Sequence, residues 1–224
     1  MNAFERLDHL LCQVPDIEQA FDLLHRKLGF PVAWPIGTYW PNGKQCGIAL
    51  GGINLELIQS FESPVKEASI RCIAFEPTAD IHQVLDREKI PYNVFIKKES
   101  TPELLEMRGL PAAGGEQVLC TNTMIDESRI AFSFFACEYA PRVKKLLAPE
   151  SFEIPGGNSV EEILIGHREP QGLKEDLQRL GVHSGVRLTA HKHSSEEVTA
   201  IVMKNGPLDL GNFPSRFKFI ASAR

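Results

Sequence analysis

The chain predicts an α+β fold in which repeated βαβββ units form a curved mixed sheet with a cleft, and three observations carry the prediction. The order strand, helix, strand, strand, strand runs through residues 5–60, returns over 68–137, and is met again beyond residue 155. The first two helices open on the same Asp-Ile pair, at Asp16-Ile17 and Asp80-Ile81. The helices of the first and third passes stop at the same Leu-Gly pair, at Leu28-Gly29 and Leu180-Gly181. The expected organisation is a domain over 1–140 made of two units, with a third related unit over 155–224 packed on it.

In the segment Leu7 to Val14, Leu10, Cys12 and Val14 fall on one face and His9 and Gln13 on the other, the alternation of a half-buried strand. Pro15-Asp16 then starts a helix on which Ile17, Phe21, Leu24 and Leu28 recur at helical spacing, and Gly29 supplies a left-handed stop. Strand-sized runs follow at Phe30–Trp34, Lys44–Leu50 and Ile53–Gln59, divided by the turn signals Pro35-Ile36-Gly37, Pro41-Asn42-Gly43 and Gly51-Gly52. The second pass reads as a strand at Ile70–Phe75, a helix from Asp80, and strands at Tyr92–Ile96, Gln117–Cys120 and Ile130–Ala136. Between residues 100 and 117, Pro102, Pro111 and Gly114-Gly115 around Leu104, Leu105 and Met107 read as a long excursion with a short helix. The third pass has a strand at Val160–Ile165, a helix carrying Leu173, Leu177 and Leu180, and strands at Val186–Ala190, Val198–Met203 and Leu208–Leu210. The segment between Tyr139 and Gly157 keeps Val143, Leu146, Leu147, Phe152 and Ile154, too apolar for a free linker, so the third unit should dock. An odd third unit leaves one sheet face to be matched within the chain or by a second copy, which makes a homodimer an expectation.

Composition narrows the function. With 43% hydrophobic and 24% charged residues over 224 positions, the chain can bury a core. A net charge of −5 with scattered basic residues argues against nucleic acid as a partner. The longest apolar run, around Ile130 to Ala136, falls short of the roughly 20 residues that a membrane span needs. No leader precedes the first strand, and the five cysteines, Cys12, Cys46, Cys72, Cys120 and Cys137, are odd in number and each sit in a strand-like run. Both features predict a cytoplasmic protein with reduced, buried thiols. Phosphate-binding glycine loops, nucleophile elbows and paired Cys-x-x-Cys motifs are absent from the sequence.

His9 and Glu56 are the candidate chemistry. Leu55 and Leu57 are the apolar set of their strand, so Asn54, Glu56 and Ile58 face the other way. If the helix covers the apolar face, His9 and Glu56 share the open one. An imidazole nitrogen and a carboxylate oxygen suit a divalent ion. Taken alone, His9 equally reads as a strand histidine hydrogen-bonded to a neighbour, Glu56 itself included. His191 and His193 share a strand face but read as a solvated strand end, and His25, His82, His167 and His183 take no role. Phe132, Phe134, Phe135 and Tyr139 read as core, with one face of their strand available to line a cleft.

Leu7-Asp8-His9-Leu10 followed by Val14-Pro15-Asp16-Ile17, the Leu28-Gly29-Phe30 helix end, and Gly52-Ile53-Asn54-Leu55-Glu56-Leu57-Ile58 resemble the first module of the vicinal-oxygen-chelate superfamily, and in detail its divergent glyoxalase-like domain proteins. The resemblance covers residues 5–60 best, extends to about 140 and thins beyond. It implies paired modules curving into a cleft, with zinc, iron, manganese or nickel held by side chains of the first and last strands, here His9 and Glu56. It further implies a lyase, isomerase or dioxygenase acting on a small organic molecule with vicinal oxygens. The alternative is a metal-free protein of the same fold that binds or sequesters a small ligand. The second module departs from the pattern: Arg71, Cys72, Ile73 and Ala74, and Phe132, Ser133, Phe134 and Phe135, stand where its ligands would come from. Water and substrate would then complete the coordination, or Glu161, Glu162 or Asp209 of the third unit would, or no metal binds.

Overall fold

The structure, a computed structural model, describes residues 2–40, 42–99, 117–126, 128, 130–147, 151–182 and 185–222. The first module runs β1 (Phe4–Gln13), α1 (Ile17–Phe21), β2 (Val32–Trp40), β3 (Gly43–Ala49) and β4 (Asn54–Ser60). Asp16 caps α1, its side chain accepting from the Gln19 backbone N–H at 3.1 Å. The expected single helix continues to Lys27, but Asp22–Lys27 widens into π-helical turns, with the Leu28 N–H reaching back to the Leu23 carbonyl at 3.0 Å. Its last turn carries His25, Arg26 and Lys27, favourable charges at a helix C-terminus.

The second module repeats the order as β5 (Ser69–Pro77), α2 (Ile81–Arg87), β6 (Tyr92–Glu99), β7 (Gln117–Ile125) and β8 (Ser133–Tyr139). The excursion expected between residues 100 and 117 lies, up to residue 116, outside the described residues. Both modules join in one eight-stranded sheet of order β2-β3-β4-β1-β5-β8-β7-β6. In each module the first and last strands pair in parallel, β1 with β4 and β5 with β8, and the modules meet where β1 and β5 pair antiparallel. The sheet curls, so it has a convex and a concave face.

Strand alternation loads the convex face with Leu10 and Cys12 from β1, Leu55 and Leu57 from β4, Ile73 and Phe75 from β5, and Phe134 and Ala136 from β8, all buried. Ile17 and Leu24 of the first helix and Ile81, Val84 and Leu85 of α2 pack onto them. Phe75 sits at the centre, stacked on Phe4 with centroids 4.6 Å apart and edge-on to Phe134 at 5.5 Å.

After β8 the chain forms α3 (Pro141–Leu147) and then β9 (Val160–His167), α4 (Pro170–Arg179), β10 (Arg187–Lys192), β11 (Glu197–Met203) and β12 (Lys218–Ala221). These last strands form a second sheet of order β10-β9-β11-β12. The order along the chain is that of the first two units, yet the pairing differs. Here β9 pairs in parallel with β10, the strand that follows its helix, as in a βαβ crossover. The fourth strand is also displaced from the expected position: residues 208–210 form no strand, and Lys218–Ala221 fills the edge beside β11. Residues 208–210 lie between Gly206 and Gly211, whose φ angles of +116° and +56° interrupt extended backbone.

The second sheet docks on the convex side. Ile163, Ile165, Val198, Ile201 and Met203, with Leu173 and Leu177 of α4, share one core with the first two modules. Backbone hydrogen bonds tie the layers together, from Val160 N to Gly51 O at 2.9 Å, Ala3 N to Leu180 O at 2.8 Å and Arg216 N to Ala68 O at 2.8 Å. Gly51 is required at the first of these: its φ is +85°, and a Cβ there would meet the Asn158 carbonyl at 2.5 Å. No helix among the described residues is long and apolar enough to cross a membrane.

Two outcomes follow from this packing. Phe75→Ala should cost about 3–5 kcal/mol in chemical denaturation, because its ring fills the middle of the shared core. Limited proteolysis should leave the 140–157 segment intact in the native protein, and a fragment ending at residue 140 should aggregate for want of the second sheet. A stable, soluble, monomeric 1–140 fragment would contradict the shared core.

Candidate functional site

The concave face receives the residues that alternation turns away from the core. β1 delivers His9 and β4 delivers Glu56, and the imidazole Nε2 lies 3.2 Å from the carboxylate Oε2. On its other side the imidazole Nδ1 lies 2.6 Å from Asp8 Oδ2. Neighbouring strand residues normally point to opposite faces, but β1 pairs Leu7 with Phe75 and His9 with Ala74, leaving Asp8 as an extra residue. This β-bulge aims Asp8 at the histidine beside it.

The three side chains are buried: His9 is 3% exposed, Asp8 1% and Glu56 9%. Burial alone would pull the His9 pKa down. The hydrogen bonds and charges of Asp8 and Glu56 outweigh it and push it up to about 10, so both ring nitrogens carry protons at neutral pH and donate to carboxylates. Behind Asp8, the Arg6 guanidinium stands 3.7 Å from Oδ1 and donates from Nε to Glu76 Oε2 at 2.6 Å. Glu76 also pairs with Lys144 of α3. On the cleft side, Gln45 turns its amide nitrogen to Glu56 Oε1 at 3.1 Å while its oxygen accepts from Lys97 Nζ at 3.0 Å. Each of these charged groups thus meets an opposite charge or an amide.

Around this polar floor the walls are apolar. Trp34 of β2 lies over Gly47, its partner in β3, so closely that any Cβ at position 47 would collide with the ring. The indole stands edge-on to His9 with centroids 6.1 Å apart, and Phe135 of β8 does the same at 5.7 Å. Leu119, Cys120 and Cys137 form the far wall, and Leu147 of α3 closes one end, anchored by Asn54 Nδ2 donating to its carbonyl at 2.8 Å. The cleft is half open, and its empty space measures about 500 Å³ with the solvent at its mouth included. Two buried polar atoms of lining residues have no hydrogen-bond partner among the described residues, Trp34 Nε1 and Asn122 Oδ1.

The structure brings His9 and Glu56 together as the shared-face reading requires. It does not bring the third unit to them: Glu162 accepts from Arg187 and Thr189 within the second sheet, Glu161 lies on the same strand, and Asp209 is exposed and caps Gly211. The reason is topological, since the second sheet covers the convex face and the cleft is on the concave one. In the second module Ala74 and Phe135 occupy the inner face beside His9. Among the described residues no group of three or more histidine, cysteine, aspartate or glutamate side chains is placed to hold a metal.

Other expectations divide. All five cysteines are free and in strands, but Cys72 is only half buried, because it faces the concave side near the open groove at Arg71 and Ser133. Phe132 and Phe134 are core, while Phe135 and Tyr139 line the cleft. His191 bonds Thr199 Oγ1 at 2.7 Å and His193 turns to Ser195, a sheet-end cluster apart from the cleft. His25 bonds the Phe30 carbonyl, His82 stacks on Tyr92 at 4.9 Å, and His167 accepts from the Glu169 N–H at 2.9 Å. His183 lies outside the described residues. The residues not singled out from the sequence are Asp8, Trp34, Gln45, Lys97 and Asn122. Alternation against Cys46 and Ile48 could have placed Gln45 inward, whereas nothing local announces the bulge that redirects Asp8.

No family model matches the sequence, and no curated protein matches it. Solved structures do. A hypothetical protein from Staphylococcus aureus superposes with a TM-score of 0.64 at 12% identity, covering 97% of this chain and 99% of that one. Homoprotocatechuate 2,3-dioxygenase from Brevibacterium fuscum, in an anaerobic substrate complex with 3,4-dihydroxyphenylacetate, superposes with a TM-score of 0.56 at 12% identity over 92% of this chain. The enzyme of that name from Arthrobacter globiformis gives 0.53 at 10% identity, again over 92%. This chain spans 66% of each of those two dioxygenase chains and 58% of others of the Brevibacterium enzyme. The paired βαβββ modules, the mirrored strand order about the β1–β5 seam and these superpositions together show that the chain has the vicinal-oxygen-chelate fold.

Proposed function

We propose that the chain is a small-molecule-binding protein whose concave cleft works without a metal ion, with the Asp8–His9–Glu56 triad as its fixed polar floor. The observation that carries this reading is the closure of the triad on itself. His9 donates to two carboxylates at 2.6 and 3.2 Å, and Gln45 takes the remaining Glu56 oxygen. Both ring nitrogens are thus engaged within the triad, and an ion on Nε2 would have to replace its contact with Glu56. The donor set points the same way: His9 and Glu56 stand at the cleft floor with a lysine near them, the second module places Ala74 and Phe135 beside His9, and its Cys120 and Cys137 stand on the far wall, with no group of three possible metal ligands among the described residues. These residues do not complete a divalent-ion site of the three or four protein ligands such sites use.

The rival is a lyase, isomerase or dioxygenase that uses zinc, iron, manganese or nickel on His9 and Glu56. The 3.2 Å between Nε2 and Oε2 favours it, since two donors on one ion adopt a similar separation. Elemental analysis separates the two readings. Protein purified without chelator or nickel affinity should hold well under one equivalent of these metals, and remain so after reconstitution. A stoichiometric ion that disappears in His9→Ala and Glu56→Ala would establish the metal enzyme instead.

The triad also predicts a pH dependence. Folded His9 keeps its proton up to about pH 10, whereas in the unfolded chain the imidazole releases it near 6.5. Its contribution to stability is therefore complete below about pH 6.5 and is lost as the pH rises towards 10. Chemical denaturation should show a decline across that window in the wild type that is much smaller in His9→Gln. Equal slopes in the two proteins would mean that His9 is not held as an imidazolium.

A further inference from the structure

At the cleft floor His9 is held between Asp8 and Glu56, while two polar groups of the walls have no hydrogen-bond partner among the described residues. Trp34 is 7% exposed and its indole N–H has no acceptor among the described residues. It cannot turn to find one, because its ring is pressed over Gly47. Asn122 is fixed by strand alternation: its neighbour Thr123 points the other way, to His82 at 3.2 Å, so the Asn122 side chain faces the cleft, where Oδ1 is buried without a donor among the described residues. Buried polar groups left unmatched are rare, because each has given up water without replacing it. One donor and one acceptor left open on the walls of one cleft describe the complement of a ligand.

We infer that the cleft takes an uncharged ring compound carrying a hydrogen-bond acceptor and a donor, the acceptor set against the Trp34 indole N–H and the donor against the Asn122 side-chain amide. This rests on the proposed reading of the cleft as a ligand site and adds the chemistry of the ligand. Phe135, Leu119 and Leu147 supply apolar surface for a flat body. A charged ligand is disfavoured because it would shed its water against apolar walls beside a floor where His9 already pairs with Asp8 and Glu56.

The test is nuclear magnetic resonance of the full chain with three probes of similar size: 2-pyridone, a neutral cyclic amide; toluene, which has no polar group; and benzoate, which is charged. 2-Pyridone should move the Trp34 indole N–H signal downfield, that signal being assigned by its loss in Trp34→Phe. It should also bind about tenfold or more tightly than either other probe. Trp34→Phe and Asn122→Leu should each lower the ratio of 2-pyridone to toluene affinity by most of that factor, a selective loss that simple damage to the cleft, which weakens both probes alike, would not give. Toluene or benzoate binding in the cleft as tightly as 2-pyridone, with the indole signal unmoved, would overturn the inference and leave the cleft a ligand site. No cleft resonance responding to any of the three would overturn both.

Discussion

The antiparallel pairing of β1 with β5 is the constraint on which the remainder of the molecule depends. It joins the two modules, and its register decides which side chains face which way across the middle of the sheet. With Leu10 opposite Ile73 and Leu11 opposite Cys72, the first pair goes to the convex core and the second to the concave face. A slip of one residue would exchange the faces, burying His9 among leucines and exposing Leu10. Inside this seam the single extra residue at Asp8 turns a strand histidine into a triad.

The two faces solve different problems. The convex face is apolar and is covered by α1, α2 and the second sheet, so its stability comes from burial. The concave face places carboxylates and an imidazolium at low exposure, with an arginine and a lysine at its edge, which is tolerable only if nearly every buried charge is matched. The matching extends outward: His9 to Asp8, Asp8 to Arg6, Arg6 to Glu76, and Glu76 to Lys144 on α3. Since Leu147 of α3 also closes the cleft, the helix that caps the site is tied to the residue at its floor by a chain of charges.

A shared fold and a shared polar set are separate properties. The dioxygenases that superpose on this chain show that its sheet belongs to a widely used scaffold, while function is set by the side chains that a given sequence mounts on it. Here His9 at the cleft floor is held between Asp8 and Glu56, Asp8 Oδ1 has only the Arg6 guanidinium at 3.7 Å, and on the walls an indole N–H and an amide oxygen have no hydrogen-bond partner among the described residues.

The amino-acid sequence by itself determined the alternation in β1 and β4 that puts His9 and Glu56 on one face, the Asp-Ile helix starts, and the docking of the apolar segment after Tyr139. These were legible because each depends on neighbours a few residues apart, through a period of two in strands or 3.6 in helices. Only the tertiary structure decided the bulge at Asp8, the parallel pairing of β9 with β10, and the position of the fourth strand of the last unit at Lys218 rather than Leu208. It also decided that Glu162 and Asp209 lie behind the sheet from His9 and that Gln45, Lys97, Trp34 and Asn122 converge on it. Each of these turns on which strand lies beside which, and a ladder between distant segments is chosen by the packing of whole faces, which no local window of residues contains.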